Sequence, residues 1–351
     1  MHLPIPLTVA LATLLPATTL ASPTPHSNSN HNYNTTTKAK ETVPLPLIIW
    51  HGLGDTFTNP TLTALTDMVT TIHEGTYTHL IHLGDDAATD RRNTFLGNLT
   101  TQVADVCAQL AADPILRTAP AVNALGFSQG GQFLRAYVER CNAPPVRTLI
   151  TFGSQHNGIT KFQDCKWGDW VCRGAEALLH AGRWSAVVQG GFVPGQYFRP
   201  SEGGGVQTEE SEMELYLQHS NFLADVNNER VVKNATYKEN LSRLEKFVMF
   251  LFEEDGVVHP KESAWFGEVD ADGEVVGVRE RDIYKEDWIG LRELDEKGAL
   301  VFRSVPGRHM DIGEEVLESV VREFLGPVEV DLSEDVDTHG QKLGLVVQGG
   351  Y

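Results

Sequence analysis

The chain is short of positive charge. Its 28 Lys and Arg stand against 47 Asp and Glu, a formal charge of −19 over 351 residues. Nucleic-acid binding needs a positive surface, so this balance argues against a nucleic-acid partner. Long apolar runs are also missing, and beyond the N-terminus no segment reaches spanning length, so no stable membrane span is expected. No internal repeat is evident. Cysteine is scarce: Cys107, Cys141, Cys165 and Cys172 are all there is, with no C-x-x-C among them. Without that spacing zinc is not expected, and an even count fits an oxidising compartment. Four cysteines allow three pairings. The short separation of Cys165 and Cys172 favours them as a local pair, which leaves Cys107 to join Cys141 across two helices. His51 with Asp55, and His82 with Asp85 and Asp86, lack a metal-ligand spacing, so neither a metal nor a cofactor is expected.

What is present divides along the chain. Residues 1–21 read as a secretory signal: Leu7 to Leu20 is apolar, and Thr19-Leu20-Ala21 offers a cleavage context before Ser22. Residues 22–43, rich in Ser, Thr, Asn and Pro, read as a flexible linker. Residues 44–326 hold the core-forming patterns, and 327–351, acidic and then Gly-rich, read as a flexible tail. N-x-[ST] sequons at Asn34, Asn98, Asn234 and Asn240 fit passage through the secretory pathway, ending in a lysosome, a vacuole or outside the cell.

Leu45 to Trp50 is a continuous apolar run, as suits a strand buried on both faces. Leu62, Leu65, Met68, Val69 and Ile72 recur at helical spacing and predict a helix over 61–74. A strand over 77–83, a polar loop over 84–97 and a helix over 99–110 follow. The strand Ala121 to Phe127, the helix Gln129 to Arg140 and the strand Val146 to Phe152 complete the alternation. That rhythm predicts βαβ units, an α/β chain with a mainly parallel sheet flanked by helices. After Gly153 the rhythm breaks. Residues 154–240 read as a helical insertion whose aromatics, among them Trp167, Trp170, Trp184, Tyr197, Tyr216 and Phe222, either line an apolar site or form the insertion's own core. Strands return at Phe247–Phe252 and Ala299–Ser304, and a helix at Ile312–Leu325.

Ser128 lies in Gly126-Phe127-Ser128-Gln129-Gly130, a G-x-S-x-G between a predicted strand and a predicted helix. On such a sharp turn the hydroxyl projects above the sheet, and small flanking residues let strand and helix approach. A serine needs a base and an acid to orient it. Asp255 and His309 each follow a strand, in the chain order Ser, Asp, His of α/β-hydrolases. Glu253 and Glu254 compete for the acid's place, and His156 and His259 for the base's, while His51 is given a structural role. Oxyanion donors are expected from the N–H of Gln129 and, in the Gly-flanked loop after the first strand, of Leu53.

These residues resemble the palmitoyl-protein thioesterases of lysosomal type. The resemblance rests on Trp50-His51-Gly52-Leu53-Gly54-Asp55, Gly126 to Arg135 with Cys141, Phe222 to Arg230, Lys246-Phe247-Val248-Met249, Trp265-Phe266-Gly267 and Leu291 to Leu294. It runs from about residue 44 to about 326. It implies an α/β-hydrolase fold that removes palmitoyl and similar acyl groups from cysteine thioesters, so the expected partners are S-acylated proteins or peptides and long-chain acyl thioesters. It implies Ser128, Asp255 and His309 as the catalytic set, supports Leu53 and Gln129 as oxyanion donors, both cysteine pairings and a glycan at Asn234, and implies an insertion that holds the acyl chain. The chain departs from the family at Phe57-Thr58, where members carry adjacent cysteines, and at Gly307-Arg308-His309-Met310, a less acidic context. A secreted lipase or carboxyl esterase uses the same residues, and a catalytically silent lipid- or partner-binding protein shares the fold; these are the alternatives.

Overall fold

In chain order the strands are β1 (Lys40–Val43), β2 (Leu47–Trp50), β3 (Thr78–Leu80), β4 (Val122–Phe127), β5 (Val146–Phe152), β6 (Lys246–Phe252), β7 (Glu268–Val269), β8 (Val275–Val276), β9 (Leu300–Val305) and β10 (Val328–Asp331). A computed structural model describes residues 40–162, 182–201 and 211–331. Six strands form one sheet in the order β3-β2-β4-β5-β6-β9, and every neighbouring pair is parallel. β7 and β8 pair separately as a small antiparallel ribbon. Parallel strands need covered faces, which is why β2, β4 and β6 are apolar almost throughout and β5 is buried but for Arg147.

Side chains alternate across the sheet and serve two cores. Leu47, Ile49, Leu125, Ile150, Val248 and Phe250 face one side. There they meet Leu62, Leu65 and Val69 of α1 (Pro60–Ile72) and Leu317, Val320 and Val321 of the helix Glu314–Phe324. Ile48, Trp50, Ala124, Leu149, Phe247 and Met249 belong to the opposite core, with residues of α3 (Leu99–Ala112) and α4 (Gln129–Arg140). The helix α2 (Ala87–Phe95) precedes α3. A disulfide between Cys107 and Cys141 ties α3 to the end of α4, with Cα atoms 6.1 Å apart. Cys165 and Cys172 lie outside the described residues.

Three stretches differ from the sequence expectation. The polar loop over 84–97 contains α2, capped by Asp86, whose carboxylate accepts from the N–H groups of Ala88 and Thr89. Its buried residues are Asp90 and Thr94, so it carries no apolar stripe to betray it. β1 and β10, inside the expected linker and tail, pair antiparallel. Each satisfies the other's backbone groups, a partnership that local composition does not reveal.

Between β5 and β6 the described chain forms short helices at Ala186–Gly191, Glu212–His219, Leu223–Val226 and Ala235–Leu241. Trp184 packs edge-on to Phe198 and Tyr216, and buried Phe222 packs edge-on to Phe133 of α4. These aromatics therefore serve as core. Trp167 and Trp170 lie outside the described residues. Among the described residues no helix is long and apolar enough to cross a membrane.

Candidate active site

Ser128 joins β4 to α4 with φ 52° and ψ −125°, in a region L-residues seldom occupy. Its N–H donates to the Phe152 carbonyl at 2.8 Å, which anchors the turn to β5. Packing explains the flanking glycines. A Cβ on Gly126 would collide with Gly131 Cα, and one on Gly130 with the carbonyl oxygens of Trp50 and His51. The loop after β2 comes equally close: a Cβ on Gly52 would lie 3.2 Å from Ser128 Cβ.

β6 and β9 end on either side of a second contact. His309 Nε2 lies 3.0 Å from Ser128 Oγ, and His309 Nδ1 lies 2.7 Å from Asp255 Oδ2. The other carboxylate oxygen of Asp255 accepts from the N–H groups of Val257 and Val258, each at 2.9 Å. Burial pushes the Asp255 carboxyl up. The His309 ring and the two backbone donors outweigh burial and hold it below the usual carboxylate range. An ionised Asp255 makes His309 Nδ1 a donor, which leaves Nε2 as acceptor for the serine hydroxyl proton. A hydroxyl, an imidazole and a carboxylate so linked can move a proton from oxygen to nitrogen while the ring stays fixed.

The competing residues sit elsewhere. Glu253 and Glu254 are exposed, and Glu253 accepts from Ser304 Oγ at 2.8 Å. His156 is fully buried, stacks on Phe266 and meets Thr151 Oγ1 at 3.0 Å. The His259 carbonyl accepts from the Thr160 N–H. Among the described residues no group of three or more His, Cys, Asp or Glu could hold a metal ion. His51 pairs with Asp90, Asp55 accepts from Asn59, and Asp86 caps α2.

The N–H groups of Leu53 and Gln129 have no acceptor among the described residues. The Gln129 side chain is tethered: Nε2 donates to the Thr94 carbonyl and Oε1 accepts from the Tyr197 hydroxyl, both at 3.3 Å. Tyr197 is one of the insertion aromatics the sequence offers as lining a site, but Asp90 and Thr94 are not legible as site neighbours in the sequence. The one signal was Asp86 as a helix N-cap, which places Asp90 and Thr94 on one helical face.

Residues 46–309 match the family model described as palmitoyl protein thioesterase. Palmitoyl-protein thioesterase 1 of Caenorhabditis elegans is 36% identical over 280 residues, covering 79% of this chain and 90% of that protein. Palmitoyl-protein thioesterase 3 of Dictyostelium discoideum is 32% identical over 273 residues, covering 76% and 85%. Lysosomal thioesterase PPT2 of Mus musculus is 29% identical over 259 residues, covering 73% and 78%. On the extent of these matches, over a parallel sheet flanked by helices, the chain is an α/β-hydrolase that belongs to the palmitoyl-protein thioesterase family and is a thioester hydrolase.

Proposed function

We propose that the chain releases palmitate and similar long acyl groups from cysteine thioesters of proteins or peptides through an acyl-enzyme. Ser128 is the nucleophile, His309 the general base, Asp255 the group that orients it, and the N–H groups of Leu53 and Gln129 the oxyanion donors. The observation that carries this reading is the Ser128–His309–Asp255 series, with contacts of 3.0 and 2.7 Å. Ser128 Oγ attacks the thioester carbonyl as its proton passes to His309 Nε2. Collapse of the tetrahedral intermediate breaks the C–S bond, and the cysteine sulfur leaves with that proton. Water then gives a proton to His309 as its oxygen attacks the acyl-serine. The carboxylic acid leaves and Ser128 regains its hydrogen. Thioesters suit this site because a thiolate leaves more readily than an amine.

The test is turnover of a palmitoyl-cysteine peptide beside its palmitoyl-serine analogue. The thioester is expected to show kcat/KM at least about tenfold higher, by about 1.4 kcal/mol of transition-state stabilisation. A ratio favouring the oxygen ester supports a lipase. Failure of the native protein to react with a serine-directed fluorophosphonate supports a silent binding protein.

The name of the mouse relative supports a lysosomal or vacuolar destination. Passage through the secretory pathway would expose the sequons to glycosylation, and their surroundings differ. Asn234 is exposed and caps its helix through Oδ1, which accepts from Thr236 N. Asn240 uses its Nδ2 to donate to the Glu139 carbonyl at 3.1 Å. Asn98 Oδ1 accepts from the Thr101 N–H and from Asn221 Nδ2. Asn234→Gln is expected to remove one glycan from protein expressed in a glycosylating host, read as a step in gel mobility, whereas Asn240→Gln leaves mobility unchanged.

A further inference from the structure

We propose that α2 is the clamp of the oxyanion hole, with Asp90 and Thr94 as positioning residues that hold the backbone of Leu53 and the turn at Gln129. This rests on the reading of Leu53 and Gln129 given above. The two residues stand one helical turn apart and face the same way. Both are almost wholly buried, at 0% and 1% exposure.

Asp90 grips the loop at its two ends. Its Oδ2 accepts from His51 Nε2 and from the Phe57 N–H, both at 2.9 Å. Its Oδ1 accepts from the Leu83 N–H at 2.7 Å, which ties the loop to the chain after β3. Thr94 holds the middle: its Oγ1 accepts from the Gly54 N–H at 2.9 Å and donates to the Arg91 carbonyl at 2.7 Å. The Thr94 carbonyl also accepts from Gln129 Nε2 at 3.3 Å. Anchors at residues 51, 54 and 57 therefore bracket Leu53, and the same helix touches the residue that supplies the second donor.

The chemistry explains why polar residues occupy a buried face. Gly52-Leu53-Gly54 is free to take many backbone conformations, and Gly54 sits at φ +76°. An N–H aimed at a developing oxyanion acts by being fixed before the reaction, so a loop of this composition needs outside anchors. Burial pushes the Asp90 carboxyl up, but the His51 side chain and the Leu83 and Phe57 N–H groups more than offset it, so the group stays ionised. An apolar residue would fill the same space without the desolvation cost. It would give the loop no acceptor.

The test compares Thr94→Val, which keeps the shape and the carbonyl but deletes the hydroxyl, with Thr94→Ser, which restores it. Turnover of a palmitoyl-cysteine peptide is normalised to active sites titrated to completion with a fluorophosphonate, so losses in folding yield cancel. Thr94→Val is expected to lower kcat about 10- to 100-fold, less than the roughly 100- to 1000-fold for outright loss of an oxyanion donor because the N–H is misplaced and not removed, with KM within about twofold. The affinity of a palmitoyl trifluoromethyl ketone, whose hemiketal oxyanion occupies the hole, should fall by the same factor as kcat/KM. Thr94→Ser should return both to within about threefold of wild type. Where Thr94→Val yields no titratable protein, Asp90→Asn is measured in its place, with the same signature expected. Unchanged kcat per site and unchanged ketone affinity in the folded variant would overturn the inference. Ser128→Ala is run in parallel. If it keeps turnover, the underlying reading of the site has failed; if it loses turnover while Thr94→Val does not, only the clamp has.

Discussion

Ser128→Ala is expected to lower palmitoyl-thioester turnover about 10⁵- to 10⁶-fold, the scale of losing a hydrolase's serine nucleophile, with the thermal midpoint within about 2 °C of wild type. The two readouts separate because the hydroxyl carries little of the structure. Its one side-chain hydrogen bond among the described residues is with Nε2 of His309, whose side chain is 11% exposed, so water can replace the lost partner. The Ser128 N–H still donates to the Phe152 carbonyl, because that bond belongs to the backbone. Ser128→Gly sharpens the comparison. It loses the same hydroxyl but relieves the φ of 52°, a conformation costing about 1–3 kcal/mol for a residue with a Cβ. The glycine variant should therefore be as inactive as the alanine variant and melt a few degrees higher. Turnover of Ser128→Ala within about 100-fold of wild type would remove Ser128 from the mechanism.

The fold was legible wherever burial left a one-dimensional pattern. The strand ending at Trp50 is buried along its whole length and so reads as an unbroken apolar run. Ser128, Asp255 and His309 each follow a strand of the parallel sheet. Parallel strands end on one edge, so residues placed just after them gather there although 54 and 181 positions separate His309 from its two partners. α2 was not legible, because the face it turns inward is Asp90 and Thr94 rather than a run of apolar residues. The pairing of β1 with β10 depends on residues at opposite ends of the described chain, where neither strand announces its partner. The full burial of α4 is hidden from the sequence for a related reason. From Gln129 to Glu139 every residue is buried, including Arg135 and Glu139, which a pattern of apolar and polar positions assigns to solvent.

Those two charges yield the largest expected effect on stability. Arg135→Met should cost about 3–5 kcal/mol, the scale of breaking a buried ion pair by removing one partner. Arg135 is wholly buried and ties α4 to two other stretches, at His156 and at Val226-Asn227. Nη1 donates to Glu139 Oε1 at 2.7 Å and to the Val226 carbonyl at 3.0 Å. Nη2 donates to the His156 carbonyl at 3.2 Å and to Asn227 Oδ1 at 2.8 Å. Methionine fills similar space and leaves all four acceptors without that donor. Glu139 gives the loss a sign in pH. Burial raises its carboxyl from an ordinary 4.5 to about 7, and Arg135 offsets only part of that rise. Between those values the native chain holds a proton that the unfolded chain has released, so stability rises as pH falls from about 7 towards 4.5. Asp255 and Asp90 act oppositely: held below their ordinary 3.8, they contribute stability above it that is lost as pH falls through their depressed values. With Arg135 gone, Glu139 loses the partner that lowers its carboxyl, so at pH 8 the buried group must stay charged without that partner or take up a proton, and both cost, whereas at pH 5 it is already neutral. The gap in thermal midpoint between wild type and Arg135→Met should therefore widen from pH 5 to pH 8, and adding Glu139→Gln should narrow it at pH 8. A gap equal at both pH values, or wider at pH 5, would overturn the reading that Glu139 changes protonation between them. The direction of this slope suits an acidic compartment, where the buried Glu139 carboxyl of α4 is neutral and the carboxylate behind His309 remains charged.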